Sequence, residues 1–427
     1  MKEDLLHFVW KHKKIPHSGL KTSAGTPMSI VKIGTTNLES GPDFFNAQIR
    51  IDDQLWVGNV EIHLKSSDWY AHHHEVDDAY NTVILHVVWV EDCDVFRNDN
   101  TKIPTLELKS YLKKELLVRY QNLLNHTNKK FINCEKDVLQ VDHFVRESWL
   151  ERLFFERLEE KTKLIKELLV QYNNNWEYVL FIVLLKNFGL KMNGESFLSM
   201  QTAFSSESVA KLKNNSLQLE SALLGLSGIL DGEDCKDPYY KLLKEEFQYI
   251  KNKFNWNTQG IIKPKFFKLR PPNFPTIRLS QFAALYSTHQ NLFSNIISET
   301  SLEDLHGFFN VSASEYWDTH YTFGKESKKS KKKITPKFLD LLVVNTILPF
   351  KFLYAKSIGK EPTEALVKIA SEMSSENNTV IGNFKNLKLG CASAKESQAF
   401  LQLYNRYCTK NKCLQCAIGT HLLKGNT

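Results

Sequence analysis

Long apolar runs are missing from this sequence. The longest, Tyr178 to Leu185, falls far short of the ~20 residues that a helix needs to cross a bilayer, so a membrane is not an expected partner. The opening stretch, MKEDLLHFVWKHKK, breaks every apolar stretch with charge and does not make a secretory signal. Cysteine is scarce: there are seven, an odd number, with three bunched near the end. That argues against a secreted disulfide framework and for a reducing, cytoplasmic setting. No internal repeat stands out. Nor is there a large excess of one charge. Lys and Arg number 55, Asp and Glu 48, for a formal net charge of +7. Such a balance suits a nucleic-acid partner without requiring one. At 427 residues the chain is long enough for two or three domains, each with a real core.

What the sequence does contain is a pair of alternating segments. Phe45 to Ile51 and Trp56 to Lys65 alternate between apolar and polar, with Asp52, Asp53 and Gln54 between them. Alternation of this kind marks two half-buried strands of a hairpin. Residues two apart share a face, so Glu61, His63 and Lys65 point one way and Val60, Ile62 and Leu64 the other. Asp43 follows Gly41-Pro42 at the start of the first strand, where a hairpin brings it toward Glu61. Two carboxylates, a histidine and a lysine at one spot suit a Mg²⁺- or Mn²⁺-dependent phosphodiesterase, with the ion between the acids. The bland reading is a turn aspartate beside a surface strand glutamate.

The elements around the hairpin extend the pattern. Asp4 to His12 reads as a helix and Ser29 to Ile33 as a short strand. Asp68 to Asp78 reads as a short helix or structured loop, Val83 to Val90 as a buried central strand and Thr101 to Leu108 as a more exposed one. Pro42-Asp43 followed by Glu61-Ile62-His63 is similar to the signature of the PD-(D/E)XK, or restriction-endonuclease-like, nucleases. The resemblance implies the order helix, three strands, helix, strand. It also implies metal ligation by Asp43, Glu61 and the Ile62 carbonyl, with nucleic acid as substrate. The usual lysine is His63 here, and Lys65 one pleat on is its expected substitute. The phrases GPDF, GNVEIH, SSDW and VILHVVW also resemble an uncharacterised bacterial family, domain of unknown function 2851.

Beyond about residue 112 the periodicity turns helical: Ser148 to Leu169, Trp176 to Phe188, Ser205 to Gly225, Tyr239 to Phe254, Leu279 to Thr288 and Lys337 to Ile358. The expected class is therefore α+β. A restriction-endonuclease-like α/β domain with a mixed sheet covers residues 1 to about 112, and a mostly helical region follows. Between helices lies KPKFFKLRPPNFP. Its Lys263, Lys265, Lys268 and Arg270, with Arg278 just beyond, alternate with phenylalanines as in a surface for single-stranded nucleic acid, or else form a proline-rich connector. The run Lys325 to Lys333 reads as a solvated loop. Cys408, Cys413 and Cys416 are spaced for zinc or an iron–sulfur cluster, with Cys391 or His421 as fourth ligand, or are ordinary free thiols. His72 and His74 would suit zinc but match no standard spacing, and His86 interrupts an apolar strand and needs a partner if buried.

The expected function is a metal-dependent nuclease. The alternative is a non-catalytic nucleic-acid-binding or assembly protein on the same fold. In the nuclease reading, removal of either Asp43 or Glu61 ends cleavage at little cost in stability.

Overall fold

The computed structural model describes residues 2–37, 39–124, 131–232, 235–361 and 363–424. The chain divides into two compact units. The first is Met1–Trp149 together with Leu403–Thr427, and the second is Leu150–Gln402.

The first unit opens with α1 (Glu3–Lys11), which has Glu3 and Asp4 in its first turn and Lys11 in its last, as the helix dipole favours. Strands β1 (Leu20–Lys21), β2 (Pro27–Lys32), β3 (Thr35–Thr36), β4 (Phe44–Ile51) and β5 (Gln54–Lys65) follow. Then come the short helix α2 (Asp68–Ala71), two 3₁₀ turns (His74–Val76 and Asp78–Tyr80), β6 (Val83–Val90), β7 (Thr105–Glu107) and α3 (Lys114–Leu124). The sheet runs β1-β2-β4-β5-β6-β7, with β3 paired to β4. Its first pairs are antiparallel, while β5–β6 and β6–β7 are parallel, as the crossover through α2 requires. This is the mixed sheet that the alternation implies, but Val83–Val90 is an interior strand between β5 and the short edge strand β7 rather than the central one. The expected strand over Thr101 to Leu108 is shorter, Thr105–Glu107.

The two faces of the sheet are covered differently. Val60, Ile62, Leu85 and Val87 point into the main core, where they meet Leu5, Leu6 and Val9 of α1, Leu116 and Tyr120 of α3, and Leu414 and Leu423 from the end of the chain. On the opposite side Trp69, Tyr80, Val83, Val95 and Ile103 form a smaller cluster. Glu61 and His63 of β5 alternate with the core residues, and so does His86, opposite Glu61 in the register with β6. The crossover from α2 to Tyr80 buries them: Glu61 is 5 % exposed, His63 2 % and His86 0 %.

The second unit is helical apart from the two-stranded piece His320–Thr322 and Lys325–Glu326 among the described residues. Its centre is Trp176–Phe188, buried along Tyr178 to Leu185, with Phe181 and Phe188 each 5.1 Å by ring centroid from Phe282. Ser205 to Gly225 is two helices rather than one, because Asn215 caps a new start at Ser216. Pro336–Ser357 is long and apolar enough to cross a membrane by length and composition, but 72 % of its most apolar window is buried inside the protein, as in a core helix. The lysine-rich run is not solvated throughout. Lys332 is buried, donating to the Asp318 and Ser330 carbonyls and to Ser330 Oγ, with its ammonium over the Tyr321 ring.

Candidate metal centre

Asp43 and Glu61 are locked to each other through the backbone. The turn before β4 needs Gly41 at φ +99°, a conformation that side chains disfavour. Asn37 ties that turn together, donating from Nδ2 to the Ser40 and Pro42 carbonyls and from its backbone N–H to the Asp43 carbonyl. Asp43 N–H then donates to Glu61 Oε2 at 3.0 Å, and Ile62 N–H donates to Asp43 Oδ2 at 3.0 Å. Each carboxylate therefore satisfies a backbone donor that the sheet ladder leaves over.

α1 brings two further groups. Glu3 and His7, one helical turn apart, face Asp43: His7 Nε2 lies 3.3 Å from Asp43 Oδ2 and 3.5 Å from Glu3 Oε1. Burial alone would lower the His7 pKa, but the Asp43 and Glu3 carboxylates outweigh it and push it up to about 10. His7 is thus an imidazolium at neutral pH.

On the other side of Glu61 stand four histidines. Glu61 Oε1 is 3.5 Å from both His63 Nε2 and His74 Nε2. His63 Nε2 is 3.0 Å from His72 Nδ1, and His63 Nδ1 is 2.9 Å from His86 Nε2. His63, His72 and His74 each present a ligand atom, and the three atoms lie within 4.8 Å of one another, the arrangement that one ion needs. The run His72-His73-His74 reaches this point because His72 closes α2, His73 turns the chain at φ +60°, and His74 begins the next turn. Trp69 and Tyr80 wall the site. Tyr80 stacks on His74 at 3.7 Å, and Trp69 meets His74 and His86 edge-on or tilted.

The electrostatics follow from burial. Burial and then the Asp43 charge push the Glu61 carboxyl well above the ordinary range. Burial holds His63 down to about 3, sends His86 well below its ordinary value, and with the neighbouring His72 lowers His74. A buried carboxyl ringed by neutral imidazoles is short of positive charge on that side. A divalent cation is the natural complement.

The other expected site residues are placed elsewhere. Lys65 is exposed at the end of β5, where its N–H donates to Asp68. Beside it, against the effect of burial, hydrogen bonds from Ser67 and Ser66 and then the Lys65 charge hold the Asp92 carboxyl below its ordinary range. Lys263 pairs with Asp231 at 2.6 Å, and the Lys265 backbone is held by Asn193. Lys268 lies over the exposed ring of Phe267. Arg278 is buried, donating to Gln281 and Asn273, with its guanidinium 3.5 Å from the Phe338 centroid. It belongs to the packing of the second unit and not to an exposed strip. Cys391 is in the second unit and Cys408, Cys413 and Cys416 in the first. Among the described residues no group of three cysteines lies within reach of one ion. Glu3 and His7 lie outside the set that the sequence pattern singles out. Their i, i+4 spacing on the first helix is legible there, but its aim at Asp43 is not.

No curated protein and no solved structure matches the chain. A family profile described as a protein of unknown function, DUF2851, matches residues 3–379, and the match takes in all the residues of this centre. The chain belongs to that family.

Proposed function

We propose that this protein is a metal-dependent nuclease that hydrolyses phosphodiester bonds in DNA or a related nucleic acid. The observation that carries the reading is the interlock of Asp43 and Glu61, two carboxyls from the two strands at the open end of one hairpin, each accepting an N–H from the other's neighbourhood. The order of α1, the strands β2, β4 and β5, then α2 and β6 supports it, since this is the order that likeness to the PD-(D/E)XK nucleases implies. A divalent ion held by these carboxylates would polarise a phosphate and lower the pKa of bound water. His63, beside Glu61, would help hold that ion or orient the water bound to it. Lys65 is exposed at the end of β5, where its charge acts on Asp92, and His7 is a positive charge set against the acids.

The test is cleavage of single- and double-stranded DNA and RNA with Mg²⁺, Mn²⁺ or Zn²⁺, comparing wild type with Asp43→Asn and Glu61→Gln. Cleavage by wild type alone is expected. Equal cleavage by the variants would remove the reading. A second reading, a nucleic-acid-binding platform without chemistry, draws on the neutral His63 in the lysine position. It expects wild type to bind the panel and cleave none of it.

A further inference from the structure

We infer that His63, His72 and His74, with the Glu61 carboxylate beside His63 and His74, form a site for one transition-metal ion of the zinc class, not a magnesium site that happens to have histidines near it. The spacing of the donor atoms carries the inference. Glu61 Oε1 stands 3.5 Å from His63 Nε2 and 3.5 Å from His74 Nε2. Both distances exceed the ~2.7–3.2 Å of an ordinary N–H···O hydrogen bond. An ion bound at 2.0–2.1 Å by tetrahedral ligands holds its donors about 3.3–3.4 Å apart. Three of the six donor separations, 3.5, 3.5 and 3.0 Å, bracket that edge, and the ligand atoms of His63, His72 and His74 all lie within 4.8 Å of one another.

The outer residues fit the same reading. To ligate through Nε2, His63 must carry its proton on Nδ1, and that nitrogen lies 2.9 Å from His86 Nε2, a partner able to accept it. A ligand histidine fixed by a hydrogen bond from its other nitrogen is the usual way a protein sets tautomer and ring angle. Tyr80, stacked on His74, and Trp69, packed on His74 and His86, hold two further rings in place. His72 is exposed, so the centre opens to solvent on its side and an ion can enter there.

The donor set selects the ion. Three imidazoles and one carboxylate suit zinc and its first-row neighbours, whereas Mg²⁺ prefers oxygen and keeps much of its water. The inference deepens the nuclease reading by naming the ion, yet its test reads binding and not cleavage, so either can fail alone.

The full chain, stripped with chelator, is titrated with Zn²⁺ and Mg²⁺ by calorimetry and with Co²⁺ by visible absorption. Zinc should bind at this site at least ~100-fold more tightly than magnesium. Cobalt should give the strong d–d bands of a low-coordinate site. His72→Ala and His74→Ala should each weaken both by at least ~10-fold with an unchanged circular dichroism spectrum. His72 is exposed, so its variant folds even where His74→Ala does not. The ion counted is the one lost with His72, which leaves any zinc held by cysteines out of the result. Zinc binding no tighter than magnesium, or His72→Ala titrating like wild type, would overturn the inference. Zinc bound through His72 with no cleavage under any ion would uphold this site and remove the nuclease reading alone.

Discussion

Alanine at Asp43 and an amide at Glu61 should move the stability of the metal-free protein in opposite directions. Asp43 Oδ2 accepts the N–H of Ile62, a residue 0 % exposed in the middle of β5. Asp43→Ala strands that donor, and a buried unpaired N–H costs roughly 1–3 kcal/mol. It also removes the pairing with His7, whose side chain is 32 % exposed, so that loss is worth less than about 1 kcal/mol. Asp43→Asn keeps a carbonyl for Ile62 and loses only the smaller part. The alanine variant should therefore be less stable than the asparagine one by about 1–3 kcal/mol. Glu61 differs because its carboxyl is buried and disfavours its own charge beside Asp43. Glu61→Gln retains an acceptor for the Asp43 N–H and drops the charge, so it should equal or exceed wild type at pH 7. Urea unfolding of chelator-treated protein, followed by circular dichroism with the slopes compared, measures both differences. If Asp43→Ala and Asp43→Asn unfold together, or Glu61→Gln is the least stable, the interlock is not what holds these residues. The expectation that either acid can be removed at little cost thus narrows to the amide replacements.

Other positions offer independent tests. Lys351 donates to the carbonyls of Ile296, Ile297 and Glu299 at the end of a helix, so Lys351→Met should cost about 2–4 kcal/mol in thermal or urea unfolding. Burial lowers the Lys351 pKa from 10.5 to about 8. Between those values the folded protein has released a proton that the unfolded chain still holds, so wild type gains stability as pH rises through that window. The methionine variant does not, and the gap between them should widen from pH 8 to 10; a constant gap would refute the assignment. Arg278→Lys should lose about 2–4 kcal/mol by unfolding, since a lysine cannot reproduce the two bonds and the stack on Phe338. Lys268→Ala with Arg270→Ala should leave stability unchanged. If nucleic acid binds there, the double variant should flatten the salt dependence of binding by about one unit of slope for each phosphate left without its cation; binding with an unaltered slope would leave the segment as a connector.

The sequence carries the frame of this centre because the frame rests on short-range rules. Val83 to Val90 reads as a buried strand since it is nearly continuously apolar, and the parallel pairing on either side of it makes it interior, one strand in from the edge. Alternation likewise puts Glu61 and His63 on one face of β5, and they share it. Alternation does not tell how far along the face a site extends. Lys65 has the same parity as Glu61, but the strand ends there and the chain turns at Ser66 and Ser67, held by Asp92. The crossover that follows folds back over Glu61 and His63 and leaves Lys65 in solvent. The same limit explains Arg278. Its basic neighbours and phenylalanines resemble a binding strip, yet a helix starts at Pro275 and carries the guanidinium inward onto Phe338. The histidine trio depends on one backbone angle at His73, which no periodicity encodes. Side chains near in sequence are sorted onto faces by local rules. Which of them meet an ion is decided by where the next segment returns.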